Sequence, residues 1–135
     1  MDLQKAMMIS ASGLKAQSVR MRVVAENLAN AGTEPTAPGE DPYRRKIVSF
    51  KSELDRAVGA DLVRADGVEY DQSAFGSRYD PGNPAADNAG YVRTPNVVSL
   101  IEMMDMRQAQ RSYESNLNAL EGSRRMAVQT LELLR

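Results

Sequence analysis

Apolar side chains recur at steps of three and four residues at both ends of this chain, and the middle follows no such rule. From Met103 the series runs Met103, Met106, Gln110, Tyr113, Leu117, Leu120, Arg124, Ala127, Leu131, Leu134. These positions fall along one seam of a continuous helix with a left-handed, heptad-like tendency. No proline interrupts the series, and Gly122 is its sole glycine. At about 1.5 Å per residue the helix exceeds the roughly 30 Å diameter of a small domain, so it needs a partner. A second strip, Val97, Leu100, Ile101, Met104, Val128 and Leu133, widens the apolar face. Pro95 disfavours α conformation at Thr94, Asn96 or Ser99 is placed to cap the first turn, and Ser99 with Glu102 has capping-box spacing.

The front of the chain predicts a second amphipathic helix, with Leu3, Met7, Ala11, Leu14, Ser18, Met21, Ala25 and Leu28 on its stripe. Gly13 costs about 1 kcal/mol relative to Ala inside a helix, which is most easily offset by a close backbone contact there. Asn27 to Thr33 end the helix, with Gly32 in position for a C-terminal cap. Glu34 to Pro42, with three prolines and a glycine, reads as a surface loop.

Between the helices the pattern is short and mixed. Tyr43 to Phe50 alternates as a strand, and Lys51 to Ala57 suits a short helix or a continuation of that strand. Asp66-Gly67 suggests a hairpin turn within Leu62 to Gln72. Phe75 to Tyr79 adds a further strand, and Asp80-Pro-Gly-Asn-Pro and Asp87-Asn-Ala-Gly are turn-rich. The expected fold is mainly α: long N- and C-terminal helices forming a coiled-coil-like core, with a small β-rich insert. The expected divisions are an axial helix over 1–33, a loop and insert over 34–95, and an axial helix over 96–135, the two helices packing as one inner domain.

Composition narrows the chemistry. Among 135 residues there is no cysteine, histidine or tryptophan, and aromatics are only 5%. The usual zinc, haem and iron-sulfur ligand sets, thiol nucleophiles and Ser-His-Asp triads are therefore absent. The net charge of −1 provides no drive toward nucleic acid. Arg44, Arg45 and Lys46 read as a solvated strand face or as contacts to an acidic protein. Asp80, Asn83, Asp87 and Asn88 miss the EF-hand spacing and are better explained by turn chemistry. Glu40 with Asp41 and Glu69 with Asp71 read as solubilising charges. The N-terminus has no signal-peptide pattern and nothing reaches transmembrane length. No catalytic, cofactor or metal residue is assigned, and no enzyme activity is expected.

Three stretches carry a resemblance. They are Ser12-Gly-Leu-Lys-Ala-Gln with Arg20-Met21 and Ala25-Glu-Asn-Leu-Ala-Asn-Ala-Gly-Thr33; Pro42-Tyr-Arg-Arg-Lys; and Tyr79-Asp-Pro-Gly-Asn-Pro, Gly90-Tyr-Val-Arg-Thr-Pro-Asn-Val, Glu102-Met-Met and Arg111-Ser-Tyr-Glu-Ser-Asn116. The chain resembles the bacterial flagellar rod and hook axial proteins over nearly its whole length, and its short middle block is similar to the proximal-rod group. Many axial proteins follow the threonine directly with Pro-Gly-Tyr, whereas here Glu34 to Asp41 intervene.

The resemblance implies a structural subunit of the basal-body rod that polymerises through its terminal helices into the proximal drive shaft. It implies contacts with further copies and with rod proteins of the FlgB, FlgF, FlgG and FliE types. It also implies passage through the flagellar type III export apparatus without a cleaved signal peptide, location in the rod crossing the periplasm, and no insertion into membrane. The expected assembly residues are Leu3, Met7, Leu14, Met21, Leu28, Asn27, Asn30, Met103, Met106, Tyr113, Leu117, Leu120, Arg124, Leu131 and Leu134. From the stripes alone, an intracellular coiled-coil adaptor or export chaperone is the alternative reading.

Overall fold

A computed structural model of the chain describes residues 2–134. The elements run α1 (Leu3–Ala29), β1 (Lys46–Asp55), β2 (Ala60–Tyr70), β3 (Gly76–Tyr79), β4 (Tyr91–Thr94) and α2 (Ser99–Leu133). The strands form two separate two-stranded sheets, β1 with β2 and β3 with β4. The chain divides into two compact units, one of residues up to Met21, Val48–Gly67 and Arg107 onward, the other of Arg22–Ile47 and Val68–Met106.

In the first unit α1 and α2 run antiparallel. Gly13 lies against Asn116, and one helical stretch further along Arg20 Nη2 donates to Gln108 Oε1 at 3.1 Å. The buried positions here are Ser10, Ala16, Ala109 and Ser123, all small. A Cβ at Gly13 would stand 2.8 Å from the Asn116 carboxamide, so the tight contact suggested by this glycine is present, whereas Ala11 is exposed. The Gln17 carboxamide oxygen is buried without a hydrogen-bond partner, another mark of a seam that apolar packing does not dominate.

These observations overturn the expectation of a mainly α chain with a coiled-coil-like core. Helix makes up 47% and strand 22%, the strands standing as two sheets in their own right. Small residues at the contact let the two backbones approach closely, which turns the larger heptad side chains to the flanks. Among the described residues no Leu, Met, Ile, Phe or Tyr is buried.

The β1–β2 pair is joined by a connection too short for anything but antiparallel strands. Its turn is not at Asp66-Gly67. It is at Asp55 to Gly59, where Asp55 Oδ1 accepts from the amides of Ala57 and Val58 and the Gly59 amide donates to the Asp55 carbonyl at 2.7 Å. Gly59 has φ +65°, which a glycine adopts without steric penalty. Gly67, at φ +129°, is taken up inside β2 instead, as an irregularity that a strand glycine tolerates. Lys51 to Ala57 resolves as continuation of β1 into this turn.

In the second unit β3 and β4 pair antiparallel from Gly76 with Thr94 to Tyr79 with Tyr91. The Tyr79 and Tyr91 rings meet edge to face, with centroids 5.3 Å apart. Val92 of β4 and Ala85 of the connecting loop are buried. Asn83 and Asp87 turn their side-chain oxygens onto the loop's own amides, to Ala85 and to Ala89 and Tyr91 respectively, each at 2.9 Å. The loop after α1 is also closed on itself, because the Tyr43 amide donates to the Thr33 carbonyl at 3.2 Å and Thr36 bonds through both amide and hydroxyl to Glu40. This is the geometry of a compact Ω-loop.

Candidate functional site

A buried polar cluster holds the second unit together. Its centre is Asn27, in the last turns of α1 and 1% exposed. The Asn27 carboxamide pairs with the backbone of Lys46, donating from Nδ2 to the carbonyl at 2.7 Å and accepting at Oδ1 from the amide at 2.9 Å. Tyr43 Oη also donates to Oδ1 at 2.9 Å, and Nδ2 also donates to Glu102 Oε2 at 3.2 Å. The two lone pairs and two protons of the carboxamide are all used.

Glu102, in the first turn of α2, is fully buried and accepts from Asn27 on one oxygen and from Arg45 Nε on the other. The Arg45 guanidinium also reaches Asp71 Oδ2 at 3.3 Å and Asp105 Oδ2 at 3.5 Å. One cation thus faces three carboxylates, Glu102 and Asp105 on α2 and Asp71 just after β2. Burial works against the Arg45 charge, but the hydrogen bond and charge of Glu102, followed by those of Asp71, outweigh it and hold its pKa above the ordinary arginine value. The Ser73 amide and hydroxyl hold the Asp71 carboxyl below the ordinary aspartate range, with Arg45 adding to the effect.

Asn96 completes the cluster. Its Oδ1 accepts from the Arg45 amide at 2.7 Å, and its Nδ2 donates to the Asp71 carbonyl at 3.1 Å and to Ser73 Oγ at 3.0 Å. At the rim, Lys46 Nζ pairs with Glu26 Oε1 at 2.6 Å, a bond that raises the lysine pKa. Burial, then the nearby Glu26 charge, raises that of Tyr43.

Several of these residues carry roles other than those their spacing suggested. Glu102 belongs to no capping box, and Asn96 clamps two loops instead of capping α2. The acids facing Arg45 come from its own chain, so Asp71 is a structural partner and not a solubilising charge. One signal for Glu102 was present in the sequence: it stands between Val98 and Met106 on a helical stripe that is otherwise apolar. Gly32 lacks the positive φ of a C-terminal cap; Asn30 ends α1 instead, donating from Nδ2 to the Glu26 carbonyl at 2.9 Å and accepting from the Thr33 hydroxyl.

The remaining stripe residues lie on the surface or at its edge. Leu3, Met7, Leu14, Met21 and Leu28 on α1 are half-buried, as are Met106, Tyr113, Leu117 and Leu120 on α2. Met103, Arg124, Leu131 and Leu134 are exposed. Among the described residues no group of three or more His, Cys, Asp or Glu is placed to hold a metal ion, and no helix is long and apolar enough to cross a membrane.

Residues 7–34, which include Asn27 and Asn30, match the family model of the flagella basal body rod protein. Residues 88–133, which include Asn96, Glu102 and Asp105, match that of the flagellar basal body rod FlgEFG protein C-terminal region. The flagellar basal-body rod protein FlgC of Agrobacterium fabrum is 49% identical over 133 residues, covering 98% of this chain and 96% of its own length. The chain belongs to the FlgC family. The FlgC proteins of Bacillus subtilis and Salmonella typhimurium are 41% and 40% identical, each covering 93% of this chain. It is accordingly a structural subunit of the flagellar basal-body rod, which assembles with other rod proteins. Within this FlgC-family chain, Arg45, Lys46 and Asp71 lie outside both matched segments, and the cluster ties them to Asn27 and Glu102 inside those segments.

Proposed function

We propose that the apolar residues left open on α1 and α2 are the surfaces through which this subunit polymerises into the proximal part of the rod. The observation that carries this reading is the inverted distribution of side chains: alanine, serine and valine are buried, whereas Met103, Leu131 and Leu134 remain 48%, 66% and 80% exposed. Burying one such side chain is worth about 1.5–3 kcal/mol, so neighbouring subunits that cover these residues gain far more than the monomer forgoes. The surface comprises Leu3, Met7, Leu14, Met21 and Leu28 on α1, with Met103, Met106, Tyr113, Leu117, Leu120, Leu131 and Leu134 on α2. Its neighbours are further copies and rod proteins of the FlgB, FlgF, FlgG and FliE types. The chain reaches the periplasm-crossing rod through the flagellar export apparatus.

Leu14→Asp and Leu117→Asp test the reading, because each places an unpaired charge where a subunit contact is proposed. Export of both variants should persist while rod formation and motility are lost. Electron microscopy of washed basal bodies carrying a tagged chain adds an independent check. Normal motility from either variant, or absence of the tag from the rod, would overturn the proposal.

A further inference from the structure

In the first unit a groove of about 470 Å³ opens between α1 and the β1–β2 hairpin. Ala16 and Val19 from the helix and Leu54, Leu62 and Val63 from the strands give it an apolar lining, with Lys15 on the helix side, Asp55 on the hairpin side, and Glu53 and Arg64 paired with each other at 3.2 Å. It is a built feature of the unit, because Ser12 Oγ accepts from the Val63 amide at 3.2 Å and donates to the Ile9 carbonyl at 2.7 Å, pinning β2 to the helix. Leu54 and Val63 are nevertheless 59% and 40% exposed.

The same chain carries a segment that fits such a groove. Ten residues back from Gly13 is Leu3, the first residue of α1, and ten residues on from Asn116 is Met126. The antiparallel pairing therefore runs out of α1 near Met126, and the final turns of α2 extend past it. Their side chains are open, Leu131 at 66% and Leu134 at 80% exposed. Ala127, Leu131 and Leu134 stand at i, i+4 and i+7, the anchor spacing by which a helix lays its apolar face into a groove. Glu132 lies between the last two anchors and Arg125 lies two turns earlier, opposite in sign to Lys15 and Asp55 at the groove.

We infer that the groove receives the C-terminal turns of α2 from a second copy of this chain. The contact is heterologous, since groove and tail are different surfaces, and its repetition builds a ring or an open helical array instead of a closed pair. This inference rests on the rod reading above and adds to it which surface of one copy meets which segment of the next.

The chain has no cysteine, so introduced thiols are the only ones it carries. Two differently tagged copies, one with Val63→Cys and the other with Leu131→Cys, are co-expressed in motile cells, and washed basal bodies are oxidised. A disulfide-linked dimer bearing both tags should form in several-fold excess over a control pair of Val63→Cys with Val98→Cys. Leu54→Cys with Leu134→Cys, also at exposed positions, provides a second pair if the first disturbs the hairpin. Both tags present in the rod with no excess of the mixed dimer from either pair, or a crosslink from the groove only to a different protein, overturns the inference and leaves the rod reading standing. Absence of both tags from the rod overturns both.

Discussion

The Asn27 side chain meets Lys46 as a neighbouring β-strand would, taking both its carbonyl and its amide at 2.7 and 2.9 Å. A helix thereby ends the hydrogen-bonding needs of a strand's first residue, and the same carboxamide reaches the buried Glu102. Asn27→Asp should be among the most damaging single-atom changes in the chain. It replaces the donating amide with an acceptor that faces the Lys46 carbonyl and the Glu102 carboxylate, so the loss should be about 3 kcal/mol or more. Urea unfolding of the purified subunit measures it as a fall in midpoint.

Glu102 has no exposed surface and neutralises Arg45 from inside the unit. Removing the carboxylate leaves Arg45 with Asp71 and Asp105 but strips Arg45 Nε and Asn27 Nδ2 of their buried acceptor, which costs about 1–3 kcal/mol for each group left unsatisfied. Glu102→Ala should therefore unfold at much lower urea, whereas Glu102→Gln, which keeps an acceptor for Arg45, should lose clearly less. Equal losses from the two variants would show that the retained acceptor contributes nothing and that the lost carboxylate charge is the whole effect.

The depressed pKa of Asp71 has a defined consequence for acid stability. Because its folded value lies below its unfolded value, the unfolded chain binds the proton first, and stability falls as pH drops from the ordinary aspartate range through the folded value. Asp71→Asn should flatten that part of the profile. Lys46 acts at the other extreme: its raised value implies stability present below the ordinary lysine pKa and lost as pH rises through the folded value. Unfolding free energy measured against pH, in Asp71→Asn and Lys46→Met beside the parent, checks both signs.

Gly13 sets two effects of similar size against each other. Alanine there gains about 1 kcal/mol of helix propensity but brings a Cβ to 2.8 Å from the Asn116 carboxamide. That carboxamide is the far end of a side chain bonded to the Ser112 carbonyl at 2.9 Å, so it can swing away at modest cost. Gly13→Ala alone should change stability by less than about 1 kcal/mol. In an Asn116→Ala background, where the obstruction is gone, the same substitution should stabilise by about 1 kcal/mol. A double-mutant cycle gives the coupling directly.

The two long helices were legible in the sequence because a three-and-four repeat without proline has one regular solution, and the Asn83 and Asp87 turns were legible because their side chains bond to amides only two to four residues away. These are local properties. The helix seam was not legible, because hydrophobic periodicity identifies a face without saying whether large or small residues meet on it; Gly13 lies against Asn116, and Ala16 and Ala109 are buried where the stripe of Leu and Met is not. The hairpin turn went to Asp55–Gly59 because the Asp55 carboxylate and a glycine at φ +65° closed it there, while β2 absorbed Gly67. Least legible was the cluster of Asn27, Arg45, Asp71, Asn96 and Glu102, whose members are separated by up to 75 residues. Each alone reads as a cap, a turn or a solvated charge, and only tertiary structure, by excluding water from Glu102 and Asn27 together, made their mutual hydrogen bonds obligatory.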